Sequence, residues 1–215
     1  CASVGMVYWN QRMNQFTGDS KYIDVLERSM YNGALAGVSL AGDRFFYVNP
    51  LEVDPGITGK ACTHAHVLPS RPQWYACACC PPNVARLVGS VGKYAYGEKD
   101  CTAYCHMFAA GKVDFSNGIS LECRTDYPYG MSVKYDVTGS GRLAVRIPKW
   151  SRNYTLTADG TEVTAAPENG YVYVAVNGYT QVELLLDGTP RFVRASGRVP
   201  RLTGMTALMR GPLVY

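Results

Sequence analysis

Five dipeptides, Asn117-Gly118, Asp159-Gly160, Asn169-Gly170, Asn177-Gly178 and Asp187-Gly188, punctuate the second half of the chain and constrain its fold more than any other feature. Asn-Gly and Asp-Gly supply the positive-φ residues that tight hairpin turns need. Between them lie short alternating runs, "MSVKYDV", "RLAVRIP", "YVYVAV" and "QVELLL". A period of two is that of a strand with one buried face. Closely spaced strands with turn signals between them predict an antiparallel β-sandwich over about 96–215.

The first 95 residues follow a different period. "CASVGMVYWNQRMNQFTG" carries Val4, Val7, Tyr8 and Met13 at helical spacing and stops at Gly18. Asp19 or Ser20 is placed to cap a second helix, antiparallel to the first, running to about Leu35 with Tyr22, Val25, Leu26 and Met30 on one stripe. "RFFYVNPLE" (44–52) is aromatic and β-like and is stopped by Pro50; a Gly/Pro-rich connection follows from Asp54 to Gln73. Connections of that length inside compact domains usually carry function. A third helix is expected after Pro81-Pro82, through Val84, Leu87, Val88 and Val91, because proline suits a first helical turn. The fold class is therefore mixed: an all-α piece over 1–95 joined to an all-β domain over 96–215. Cys1 opens inside an apolar pattern and "TALMRGPLVY" ends in a strand-like run, so the chain is expected to be a fragment of a longer protein.

The formal charge of +4 comes from 21 Lys and Arg spread along 215 residues, with no basic run or basic helix. Neither a nucleic acid nor a membrane surface is an expected partner. No apolar run reaches the length of a membrane span. Eight cysteines (1, 62, 77, 79, 80, 101, 105 and 123) could form a disulfide framework in a secreted protein. Cys101, Cys105 and Cys123 stand in strand-like text, where free cysteine behaves as a small core hydrophobe. A reducing, cytoplasmic setting is the better expectation.

"YACACCPPN", residues 75–83, places three cysteines within four positions at a helix N-terminus. The adjacent thiols of Cys79 and Cys80 are poor disulfide partners for each other, but where the backbone bends sharply both can bind one soft metal, with zinc the default. A helix N-terminus and a bound metal would hold such thiols deprotonated, making a candidate nucleophile. The spacing is neither CxxC nor that of a zinc finger, so buried, inert cysteine stays an alternative. A second ligand set, Cys62, His64 and His66 of "CTHAH", is a weaker signal, and His106 in a strand-like run reads as structural. On pattern alone Glu27 reads as a solvated helix carboxylate, and Tyr47 and Trp74 as core or lining aromatics.

Taken together, "CASVGMVYWNQRM", "GDSKYIDVLERSMYNGALAG", "FFYVNPLE", "CACCPPNVAR" and "RGPLVY" resemble glycoside hydrolase family 127, the β-L-arabinofuranosidases, over essentially the whole chain. The resemblance implies the last helices of an (α/α)6 barrel followed by a β-sandwich. It implies a zinc site of one glutamate and three cysteines, the latter falling on Cys1, Cys79 and Cys80, with Cys79 as catalytic nucleophile and sugar contacts at Glu27, Tyr47 and Cys77. The implied reaction is a retaining double displacement on an arabinofuranoside of plant glycans or glycoproteins, departing from the usual pair of carboxylates. The family's zinc glutamate and acid/base glutamate would precede Cys1, so the chain alone is expected to be inactive without the remainder of its parent. Two rival readings are a non-catalytic carbohydrate-binding or structural module held by zinc, and a thiol redox protein using Cys77 and Cys79.

Overall fold

The computed structural model describes residues 1–49, 52–60, 65–74 and 77–215. They fall into two compact units, one of residues 1–10 and 25–91, the other of 11–24 and 92–215. The chain is a mixed helix and sheet protein, as its two periodicities require. None of its described helices is long and apolar enough to cross a membrane.

Helix α1 (Ala2–Thr17) ends where Gly18 takes a positive φ of 72°. In α2 (Lys21–Arg28) the cap is Asp19, whose Oδ1 accepts the Lys21 amide at 2.8 Å. The expected single helix to Leu35 is not continuous. It widens into a π-helical turn (Ser29–Ala34) and closes as a 3-10 turn (Leu35–Gly37). Within this widened turn Gly33 lies so close to Ser3 that a side chain would meet Ser3 Oγ at 2.7 Å. The buried stripe is Ile23, Leu26, Glu27 and Met30, rotated from the expected one. It carries a carboxylate in its centre.

No strand forms over residues 44–49. Phe45 makes a single bridge to Val38, and Phe46 donates its amide to Gly37 O at 2.8 Å under the Arg71 guanidinium. Aromatic alternation cannot make a ladder without a partner strand. Helix α3 (Cys80–Gly89) starts where expected, with Pro81 and Pro82 in its first turn. It buries Cys80 and Leu87.

From residue 92 the second unit continues with a short helix, α4 (Gly92–Ala95), and then eleven strands. These are β1 (Tyr96–Lys99), β2 (Thr102–Cys105), β3 (Gly111–Asp114), β4 (Ser120–Thr125), β5 (Ser132–Arg146), β6 (Tyr154–Ala158), β7 (Thr161–Glu162), β8 (Tyr171–Leu186), β9 (Arg191–Arg194), β10 (Thr206–Arg210) and β11 (Leu213–Val214). The main sheet has the order β1-β2-β5-β8-β6-β7, with β4 also on β5 and β3 on β4; a smaller sheet is β11-β10-β9. All pairings are antiparallel except β2 with β5.

Two runs read as separate strands, "MSVKYDV" and "RLAVRIP", belong to the one long strand β5. It pairs with β8 over Ser132–Arg146, taking β4 as its other neighbour in the first half and β2 in the second. The change of neighbour falls at Gly139 and Gly141. Both have positive φ, and a Cβ at Gly139 would stand 2.7 Å from Gly118 O. Asn177-Gly178 is not a turn but the opposing bend in β8, with Gly178 registered against Gly139. By contrast Asp159-Gly160 and Asn169-Gly170 are turns in which both residues have positive φ.

Buried polar groups tie residues 11–24 to this unit. Arg146, fully buried, meets Asp24 at 2.7 Å, and Asn14 donates to the Tyr171 hydroxyl at 3.2 Å. That hydroxyl lies 2.7 Å from His106 Nδ1. His106 is thus structural, as expected. Cys105 and Cys123 are buried core residues, whereas Cys101 is exposed at the turn between β1 and β2.

Candidate metal-thiolate site

Sulfur from two helical segments meets here. Cys1 directly precedes α1, and its carbonyl accepts the first helical bond, from Gly5 N at 2.8 Å. Cys79 is the N-cap of α3 and Cys80 its first residue. The sulfur atoms of Cys1, Cys79 and Cys80 all lie within 4.8 Å of one another. Cys80 Sγ is 3.9 Å from Cys1 Sγ and 3.7 Å from Cys79 Sγ. The backbone N–H groups and helix dipole at the start of α3 lie beside Cys79 and Cys80, which favours negative sulfur there.

The three thiols differ. Cys80 is buried, Cys79 half-buried and Cys1 exposed. Hydrogen bonds from the Tyr47 hydroxyl and then from Cys77 lower the Cys79 pKa below that of an ordinary thiol. As the donor, Tyr47 is correspondingly raised. Burial, followed by its contact with Cys79, pushes Cys80 up. Cys80 also approaches the Tyr47 carbonyl at 3.8 Å.

Of the residues singled out in the sequence, Cys1, Cys79, Cys80, Tyr47 and Cys77 come together. Glu27 is fully buried on α2, against its reading as a solvated carboxylate, and Trp74, read as a core or lining aromatic, is exposed. Cys62 and His64 lie outside the described residues, and His66 is exposed.

Three residues at the site were not singled out. Asn83 donates its side-chain amide to Cys1 Sγ at 3.1 Å and to the Cys79 carbonyl at 3.0 Å. Its Oδ1 accepts from Arg86 Nη2 at 2.8 Å. Arg86 Nε in turn donates to the Tyr8 hydroxyl at 3.1 Å, with the guanidinium 4.9 Å from the centre of that ring. The available signal was spacing: Cys79, Asn83 and Arg86 are four and three apart on one helical face.

Three cysteine sulfurs suit zinc chemically, and their separations suit it geometrically. Zinc–sulfur bonds of about 2.3 Å in tetrahedral arrangement put sulfurs about 3.8 Å apart. Cys80 stands at 3.9 and 3.7 Å from its two neighbours. Three protein sulfurs also leave a fourth position for another ligand.

Helices joined to a largely antiparallel β domain are shared with a class of sugar-cleaving enzymes, the glycoside hydrolases. The chain belongs to glycoside hydrolase family 127: residues 1–93 match the family's β-L-arabinofuranosidase catalytic domain and residues 102–187 its middle domain. It is 42% identical to a non-reducing end β-L-arabinofuranosidase of Bifidobacterium longum subsp. longum, covering all of this chain and 34% of that protein. A GH127 β-L-arabinofuranosidase from Geobacillus stearothermophilus T6 superposes with a TM-score of 0.92 at 35% identity, over 100% of this chain and 35% of the other. A second GH127 β-arabinofuranosidase gives 0.88 at 33% identity, over 100% and 36%. The chain thus spans about a third of the length of these relatives. Their length, rather than the chain's own ends, supports the expectation of a longer parent.

Proposed function

We propose that the full-length protein is a retaining β-L-arabinofuranosidase in which Cys79 is the nucleophile and Cys1, Cys79 and Cys80 hold a zinc ion. The observation that carries the reading is the convergence of three sulfurs, from residues 78 positions apart in sequence, beside the start of α3. When bound, zinc would keep these sulfurs deprotonated at neutral pH and restrain the nucleophile. The substrate is an arabinofuranoside of plant glycans or glycoproteins.

Cys79 is the sulfur suited to attack. It is more accessible than Cys80, and Tyr47 and Cys77 stabilise its negative charge. Its sulfur would form a bond to the anomeric carbon as the glycosidic C–O bond breaks, the leaving oxygen taking a proton from an acid in the rest of the parent chain. Water then displaces Cys79 and gives up its proton to the conjugate base. Two inversions at one carbon give net retention. Tyr47 and Cys77, beside the nucleophile, are placed to touch the bound sugar, and Glu27 is the third proposed contact.

We further propose that residues 1–95 supply the last helices of an (α/α)6 barrel and 96–215 a β-sandwich domain. The seven described cysteines are all free, which supports a reducing, cytoplasmic setting. The test is hydrolysis of an aryl β-L-arabinofuranoside by the full-length protein, with the anomeric configuration of the first product read by NMR. A β product, with turnover abolished in Cys79→Ser, is expected. An α first product, or full turnover by Cys79→Ser, would refute the mechanism.

A further inference from the structure

Asn83, Arg86 and Tyr8 take no part in the proposed chemistry, although they form a chain of contacts ending on a sulfur of the cluster. The direction of each bond in that chain is determined by chemistry. Arginine has donors and no acceptor, so the Asn83 atom facing Arg86 Nη2 must be Oδ1. The other end of the amide is then NH2. One hydrogen goes to the Cys79 carbonyl, which can only accept, and the other points at Cys1 Sγ. The amide cannot be turned over without setting its oxygen against a carbonyl oxygen on one side and losing the arginine on the other.

Arg86 is itself held at two points by Tyr8, through a hydrogen bond to the hydroxyl and by lying over the ring. Tyr8 stands seven residues after Cys1, two turns along α1, and Arg86 three after Asn83 on α3. Two rungs therefore join the helices: Cys1 to Asn83, and Tyr8 to Arg86. The second orients the first.

We propose, resting on the zinc-thiolate reading, that Asn83 is a positioning residue for the metal site, donating an N–H to the Cys1 sulfur, with Arg86 and Tyr8 locking the amide so that a donor always faces that sulfur. An N–H placed on a thiolate stabilises its lone pair and fixes its direction, so it sets metal affinity and how strongly the sulfur gives charge to the metal. It also leaves Cys79, the attacking sulfur, free of this donor.

The experiment uses the full-length protein, stripped and reloaded with cobalt(II), with helicity checked by circular dichroism. Metal affinity and the sulfur-to-cobalt charge-transfer band are measured for wild type, Asn83→Ala, the near-isosteric Asn83→Asp and Arg86→Met. Both Asn83 variants are expected to lose roughly 10–100-fold in affinity. Their charge-transfer band should move to longer wavelength, because the undonated sulfur gives up charge more easily. Arg86→Met should fall between, its amide now free to turn. Wild-type affinity and an unmoved band in a folded Asn83→Asp would overturn the inference while leaving the metal reading intact. Wild-type protein that binds neither cobalt nor zinc would overturn the metal reading and this inference with it.

Discussion

Cys79 and Cys80 share a peptide bond but not an environment. One is half-buried beside two hydrogen-bond donors; the other is buried against the Tyr47 carbonyl. In metal-free full-length protein, iodoacetamide is therefore expected to label Cys79 well before Cys80, read by peptide mass spectrometry. Equal labelling would contradict the assignment of Cys79 as the reactive sulfur. At this scale the cluster at 77–80 was legible because its members are adjacent in sequence. Cys1 was not legible from spacing, since 78 positions separate it from Cys79, and only the family resemblance pointed to it. Glu27 was misread because the stripe was drawn through Tyr22 and Val25, whereas the helix buries Ile23, Leu26, Glu27 and Met30. One step of rotation decides whether a carboxylate meets water.

At the scale of elements, local signals located the starts of α2 and α3 and the text of β5 and β8, and failed where long-range pairing decides. Asn177-Gly178 has the composition of a hairpin turn, yet it is a bend within β8, because its neighbour across the sheet is another glycine, Gly139. Alanine at Gly139 would meet the backbone of Gly118 and Ile119 in a disfavoured conformation. Gly139→Ala is expected to cost on the order of 2 kcal/mol in urea denaturation, against a negligible loss for Gly197→Ala, which has open space. Aromatic residues 44–49 looked like a strand for the converse reason, since alternation says nothing about whether a partner exists. The buried pair of Asp24 and Arg146 joins a helical segment to the end of β5 across 122 positions. Asp24→Ala removes a carboxylate from beside a fully buried guanidinium and is expected to destabilise by about 3–5 kcal/mol. A loss below about 1 kcal/mol would show that Arg146 finds equivalent partners.

For the molecule as a whole, burial and the neighbouring Arg146 depress the His106 pKa from 6.5 to about 4. The unfolded chain then binds the proton more tightly than the folded one. The contribution is complete above pH 6.5, is lost progressively as pH falls, and is absent below about 4. It amounts to about 3 kcal/mol. His106→Gln should flatten that part of the stability profile measured by denaturation between pH 4 and 7. An unchanged slope would mean that His106 titrates normally in the folded state. Metal content is the direct measure of whether Cys1, Cys79 and Cys80 hold a zinc ion. Full-length protein purified under reducing conditions should carry close to one zinc per chain by plasma mass spectrometry. That zinc should be sharply reduced in Cys1→Ser, Cys79→Ser and Cys80→Ser. Zinc retained at the wild-type level in all three variants would place the metal elsewhere and contradict the account.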